Sequence, residues 1–263
     1  MENIGDYLNM KWDIKKFNKI NVKNPYLIEG LPGMGNVGKI AIDFIIENLK
    51  AKKIMEIYSY SFPHCVFVNE KNLVELPSIK VYQKKLSNKS FLLIAGDIQP
   101  LDEASCYEFC NLVLDTFKQH KIKEIITLGG IGQHQIPKTP KIFCTGNDKK
   151  IIKKYAKNKV SNDIYGVVGP IIGVSGLLIG TAGQRNIPAI ALLAETYGHP
   201  SYLGIKGAKE LLKILNTTFS LKLKLDAIVE MESIEKDIKN KKVSTVLPLK
   251  NIKKASKDIN YIG

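Results

Sequence analysis

The residues with the greatest chemical potential lie early in the chain, in Gly30-Leu31-Pro32-Gly33-Met34-Gly35-Asn36-Val37-Gly38-Lys39-Ile40. Gly33, Gly35 and Gly38 reproduce the spacing of a dinucleotide fingerprint, in which positions without side chains let backbone amides approach a pyrophosphate at a helix N-terminus. Gly33, Gly38 and Lys39 also satisfy the opening of a phosphate-binding P-loop. That pattern continues with Ser or Thr, whose hydroxyl holds magnesium, whereas this chain continues with Ile40. The dinucleotide pattern departs too, because the acid expected about 20 residues on, Glu56, falls inside a strand rather than at its tip. Two readings stand side by side. The loop either cradles phosphate, as in a nucleotide or nucleoside-phosphate binding enzyme or sensor, or makes a tight turn that lets a helix pack closely on a sheet.

Polar or glycine residues follow several apolar runs: Gly30, Asp97 with Gln99, Gly129 with Gly130, and Glu195 with His199. In a parallel sheet these positions share the carboxyl edge, where open α/β folds bind ligands. The candidate ligand-binding set is therefore Gly33, Gly35, Gly38, Lys39, Asp97 and Glu195. Asp97 imitates the acid of a nucleotide hydrolase, but the metal-bound hydroxyl that such an acid must meet is missing. No nucleophile elbow or Ser-His-Asp order accompanies it. The expectation is a protein without catalytic residues, not an enzyme. Cys65, Cys106, Cys110 and Cys144 form no CxxC pair and the four histidines are scattered, so neither a metal site nor a cofactor is expected, and the compartment read from them is the reducing cytoplasm.

The elements able to position these residues are legible from periodicity. Short apolar runs alternate with amphipathic stretches over 263 residues, which predicts an α/β fold with a mostly parallel central sheet and helices on both faces. Residues 91–95 and 125–128 are apolar without alternation, as central strands covered on both sides should be. Other strands are expected over 25–29, 54–60, 66–68, 73–82, 141–144, 165–168 and 189–194. Helices are expected after Gly38 and over 102–120, 149–157, 173–184 and 202–216. Asp102 is the predicted N-cap of the second. Residues 221–239 carry apolar side chains at helical steps, so residues 1–220 read as the α/β domain and 221–263 as a C-terminal helix with a mobile lysine-rich tail.

The formal charge is +14, yet of 39 basic residues only Arg185 is arginine. Arginine supplies the fork that reads guanine edges and grips phosphate, so a lysine-rich surface argues against specific nucleic-acid recognition. Residues 164–183 are uncharged, but the six glycines and Pro170 among them read as strand, turn and buried helix rather than a membrane span. Gly173, Gly176, Gly180 and Gly183 are spaced to line one helix face, and such a face permits close approach of the same chain's sheet or of a second subunit.

Taken in order, Gly30-Leu31-Pro32-Gly33-Met34-Gly35-Asn36-Val37-Gly38, Gly96-Asp97-Ile98-Gln99-Pro100, Gly129-Gly130, Gly169-Pro170 with the glycine helix, and Ala194-Glu195-Thr196 followed by Gly198 resemble the proteasome assembly chaperone family of the second type, archaeal branch. The resemblance covers about residues 20–215. It implies a purine-nucleoside-phosphorylase-like α/β domain without established catalytic residues, forming homo-oligomers and binding proteasome α subunits or the core particle. In some archaeal members a C-terminal hydrophobic-Tyr-any tripeptide makes the contact. Here the chain ends Asn260-Tyr261-Ile262-Gly263, with tyrosine one place early, so Tyr261, Ile262 and Gly263 are candidates for a modified tail contact. Gly173, Gly176 and Gly180 are the candidates for packing between subunits.

Overall fold

The structure, a computed structural model, describes residues 11–69, 71–157, 160–164 and 169–228. Along the chain the elements are β1 (Trp12–Lys16), β2 (Tyr26–Gly30), α1 (Val37–Asn48), β3 (Lys52–Ser59), β4 (Phe67–Val68), β5 (Val74–Glu75), β6 (Ile79–Leu86), β7 (Lys89–Gly96), α2 (Glu103–Thr116), β8 (Glu124–Gln133), β9 (Ile142–Gly146), α3 (Lys149–Tyr155), β10 (Val160–Ser161), α4 (Val174–Gln184), β11 (Ala189–Tyr197) and α5 (Ile205–Phe219). Nine strands form one sheet in the order β1-β3-β6-β7-β2-β8-β11-β9-β10, and β4 and β5 make a separate two-stranded ribbon.

The sheet is mixed, which corrects the expectation of a mostly parallel one. β7, β2, β8 and β11 run parallel, whereas β1, β3 and β6 form an antiparallel wing and β9 lies antiparallel to β11. The reason is connection length. Only Ser87 and Asn88 separate β6 from β7, and a parallel return needs a crossover of a dozen or more residues. The C-terminal helix expected over 221–239 does not begin at Leu221: residues 221–225 are non-helical, with Lys222 at φ 58°, and helical backbone starts at Asp226. Its course beyond residue 228 lies outside the described residues, as does the strand expected over 165–168.

Pleating sorts the central strands between two cores. On one face Ile28, Leu93, Ile126, Leu128, Ile190 and Leu192 pack beneath α1 and α5. On the other, Leu27, Leu92, Ile94, Ile125, Ala191 and Leu193 pack beneath α2 and α4. Helix α2 starts where its sequence says, with the Asp102 carboxylate accepting from the Ser105 amide at 2.9 Å. The lysine-rich stretch around 149–155 is a short helix that buries Ile151 and Tyr155 and turns Lys153 and Lys154 outward.

The entry into α1 is the tightest junction. A Cβ on Gly30 would lie 2.4 Å from the Gly38 carbonyl oxygen, one on Gly38 would lie 2.2 Å from that of Leu128, and one on Gly130 would lie 2.3 Å from that of Met34. Backbone therefore rests on backbone between the first turn of α1 and the ends of β2 and β8. No residue with a side chain fits there. Gly180, in the interior of α4, is the contrasting case, with no atom within 4 Å of its would-be Cβ. Gly38→Ala is expected to lower stability by about 1–3 kcal/mol through overpacking, and Gly180→Ala to raise it by about 0.5–1 kcal/mol through helix propensity. Urea unfolding of both variants checks the pair.

Candidate functional site

The turn between β2 and α1 reverses through Gly35 and Asn36, with φ of 60° and 51° in the left-handed region. Its interior is occupied by the chain itself. The Gly204 amide donates to the Gly35 carbonyl at 2.7 Å, and the Thr196 hydroxyl lies where a Gly35 Cβ would stand, 2.5 Å away. A cavity of about 290 Å³ remains on the outer side, lined by Gly33, Met34, Gly35, Asn36, Gly198, His199 and Pro200. Ser201 holds His199 in place through an Oγ to Nδ1 contact of 2.9 Å, and Tyr197 stacks on the imidazole at 5.7 Å. Asn36 and His199 are the polar side chains of that lining. No acid stands among the lining residues to serve as a general base.

Lys39 does not reach into the loop. Its ammonium bonds the Asp43 carboxylate at 2.9 Å and faces Asp97 at 3.6 Å. Lys80 continues the chain of charges, 3.7 Å from Asp97 and 3.8 Å from Glu56, and Lys53 closes it, 3.1 Å from Glu56. Burial pushes the Asp43 carboxyl above its ordinary range against the pull of Lys39. Glu56 is also pushed up by burial, but the Ser78 hydroxyl and the Lys53 and Lys80 ammoniums together hold it below the usual value. Alternating charges at these separations neutralise one another and tie the α1 surface to the antiparallel wing. The sixth candidate, Glu195, is elsewhere: its carboxylate accepts from the Lys141 amide at 2.9 Å, and β8 and β2 lie between its strand and the one that ends before Asp97. The structure thus brings Lys39 and Asp97 together and places Gly33 and Gly35 on a cavity, with Glu195 apart from both.

On the opposite face of β2 lies a charged residue that the sequence reading passed over. Glu29 is fully buried. Its carboxylate accepts from the Leu31 amide at 2.8 Å and from the Ser175 hydroxyl at 2.9 Å. Beside it, the Gln99 side chain donates to the Pro32 carbonyl at 2.8 Å and accepts from the Val174 amide at 3.2 Å. Gly173, at φ 85°, leaves room for that amide, since a Cβ there would lie 2.5 Å from the Gln99 oxygen. Three motifs far apart in sequence, those around Gly33, Asp97 and Gly173, meet as one hydrogen-bonded latch. A signal for it existed: Glu29 is the single charge in the strand Tyr-Leu-Ile-Glu-Gly, every residue of which is buried.

The helix glycines do not share a neighbour. Gly176 packs on the Ile171 carbonyl of the preceding loop and Gly183 on Asn147, while Gly180 is exposed. Tyr261, Ile262 and Gly263 lie outside the described residues. Among the described residues no group of three or more His, Cys, Asp or Glu is placed to hold a metal ion, and no helix is long and apolar enough to cross a membrane.

A model of the PAC2 family matches residues 27–240. The chain belongs to the PAC2 family. Two uncharacterised proteins of Methanocaldococcus jannaschii are similar, one 25% identical over 92% of this chain and 93% of its own length, the other 32% identical over 84% and 87%. Among solved structures, Pyrococcus furiosus PbaB, described as an archaeal proteasome activator, superposes with a TM-score of 0.80 at 28% identity, covering 88% of this chain and 98% of that one. Pyrococcus furiosus PbaA, described as an archaeal homologue of proteasome-assembly chaperone, superposes at 0.73 with 23% identity, over 88% and 91%, a likeness of fold. This PAC2 chain therefore keeps the family's mixed α/β architecture over nearly the whole length of both structures.

Burial raises the Glu29 carboxyl from 4.5 to about 7, against the two hydrogen bonds that pull it down. Below pH 4.5 the group is protonated whether the chain is folded or not. Between pH 4.5 and about 7 the unfolded chain gives up the proton while the folded one keeps it, so this group's contribution to stability falls as pH rises and stays lost above 7. Glu29→Gln removes that dependence and should gain up to about 3 kcal/mol on the wild type between pH 4.5 and pH 8. Urea unfolding across that range measures it, and parallel pH profiles for the two proteins would sink the assignment.

Proposed function

We propose that this protein is a non-enzymatic, homo-oligomeric proteasome assembly chaperone or adaptor that binds proteasome α subunits in the cytoplasm. Membership of the PAC2 family and the likeness to PbaB at 28% identity over 98% of that structure support the reading. The carrying observation within the chain is where its reactive groups go. Lys39, Asp97 and Glu29 bond other parts of the same chain, and the loop that imitates a phosphate cradle is filled by Thr196 and Gly204. Such a molecule works by presenting surfaces, repeated by the symmetry of an oligomer, that hold α subunits in register.

Co-purification with α subunits of its own organism tests the reading. A complex at micromolar concentration is expected, and its absence with the full chain intact counts against it. Removing residues 260–263 separates a contact through Tyr261, Ile262 and Gly263 from one made by the folded body: retained capture assigns the contact to the body.

The cavity beside Gly33 and Gly35 supports a second reading, a nucleotide or nucleoside-phosphate sensor or enzyme that holds its ligand at those two glycines; Gly38, Lys39, Asp97 and Glu195, expected with them, do not line it. A ligand at 100 times its dissociation constant stabilises the folded state by about 2.7 kcal/mol, so this reading requires a rise in the unfolding temperature with some member of a nucleotide panel. The chaperone reading expects a flat response.

A further inference from the structure

The parallel strands β2, β7, β8 and β11 all end at one pole of the sheet, and the segments that leave β2 and β7 meet the start of α4 there through the Glu29 and Gln99 bonds. In the strand registers Glu29 lies beside Ile94 of β7 and Thr127 of β8, and pleating turns all three to the face covered by α2 and α4. Thr127 is fully buried, and its hydroxyl has no hydrogen-bond partner among the described residues. Ala191, Val174 and Leu178 continue that face as apolar core. The titratable group facing Glu29 from α2 is Cys110, whose Sγ lies 3.9 Å from the Val174 carbonyl oxygen, with Cys106 one helical turn before it. Burial first, then the Glu29 charge, pushes the Cys110 thiol up to about 12, and burial raises Cys106 too, so both stay neutral around neutral pH. Among the described residues α4, β7 and β8 bring no charged side chain to the carboxyl, and its donors in place are the Leu31 amide and the Ser175 hydroxyl.

A protonated carboxyl suits these surroundings. One oxygen accepts from the Leu31 amide, and the other can donate its proton to the hydroxyl oxygen of Ser175 or Thr127, so each polar group has a partner. An ionised carboxylate only accepts, with about four lone-pair sites, and without a cation it needs water to complete its shell. The sheet closes it in on one side, so water enters where the cover is weakest, at the first turn of α4. The N-cap there is Gly173, with no side-chain cap bond, and Gly176 within that turn lowers helix stability by about 1 kcal/mol relative to alanine. Ile172, just before the cap, is 85% exposed. The turn is tied to the rest of the pole through the adjacent residues Val174 and Ser175.

We propose that the latch is a proton-operated switch: with Glu29 protonated, residues 171–175 are held against the glycine turn, and with Glu29 ionised the first turn of α4 lifts away and admits water to the carboxylate. The inference goes beyond the chaperone reading and does not depend on it. In the closed state burial keeps the carboxyl pKa at about 7, and in the open, hydrated state it returns to 4.5. The open state therefore binds fewer protons, and the ratio of open to closed molecules rises by about 70-fold between pH 5 and pH 8.

Native-state hydrogen exchange on the full chain, with rates corrected for the intrinsic effect of pH, reads the switch at the Val174 and Leu177 amides, which bond the Gln99 side chain and the Gly173 carbonyl when the turn is closed. Both are expected to lose protection by about 70-fold from pH 5 to pH 8 and to ignore sub-denaturing urea, because a local opening exposes little surface. Amides within α2 are expected to stay better protected and to respond to urea as global unfolding does. Glu29→Gln, neutral and of the same shape, is expected to hold protection at Val174 and Leu177 constant with pH. Constant protection in the wild type, exchange of these amides only together with those of α2, or a pH response that survives in Glu29→Gln overturns the proposal. Should Glu29→Gln fail to fold, Ser175→Ala decides: it removes a bond that holds the carboxyl down, so the midpoint of the protection change is expected at higher pH, and an unchanged or lower midpoint overturns the proposal as well.

Discussion

Backbone laid directly on backbone at the start of α1 sets the geometry on which the rest of the fold is hung. With Gly30, Gly38 and Gly130 each within 2.2–2.4 Å of a carbonyl oxygen at the position of a missing Cβ, α1 sits lower on β2 and β8 than side chains would allow. Interiors are packed densely enough that such a height cannot change locally. It fixes the course of the turn through Gly35 and Asn36, and that course leaves room beneath for Thr196 and Gly204. A loop shaped like an anion cradle is thereby closed from within. The cavity that survives is on its outer flank, against Gly198, His199 and Pro200.

The charged residues on the two sides of this junction are both committed to architecture. On the α1 face Lys39, Asp97, Lys80 and Glu56 alternate in sign, so each group is offset by its neighbour and the wing of β3 and β6 is tied to the helix. On the α4 face Glu29 has no cationic partner among its hydrogen bonds and depends on one amide and one hydroxyl. The cost of burying a carboxylate on so few donors is what lifts its pKa. The same bonds join the glycine turn to the start of α4, with Gln99 as a parallel strut. In this chain these charged groups hold loops together at one pole of the sheet.

Those loops differ in what they present. The glycine turn, the Gln99 segment and the start of α4 are locked together by side-chain bonds, whereas the ribbon of β4 and β5 is tethered through Phe67 and shows its aliphatic face outward. The antiparallel wing makes this possible, since turning from β3 to β6 at the carboxyl pole puts a long connection beside the loops of the parallel strands.

Much of the layout was written in the chain. The helices near 37–48, 103–116, 149–155, 174–184 and 205–219 follow from apolar spacing, and Asp102 marks a cap, because such signals act within a few residues and need no tertiary partner. Strand direction was not legible in the same way. Strands were expected over 73–82 and 91–95, far enough apart to hide a hairpin, whereas in the structure they run over Ile79–Leu86 and Lys89–Gly96 and the two-residue turn left between them makes the pair antiparallel. The order and spacing of the glycine motifs identified the family, yet no pattern of spacing shows which carbonyl a missing Cβ would meet or that the space under the loop is taken. Lys39 looked like a phosphate ligand because its neighbours in sequence are glycines; its neighbours in space are Asp43 and Asp97. Glu29 bonds Ser175, 146 residues away, and a contact of that range exists only once the sheet has formed. Local sequence determines which elements form; the distances between groups on different elements are decided by packing, and the chemistry of this site depends on those distances.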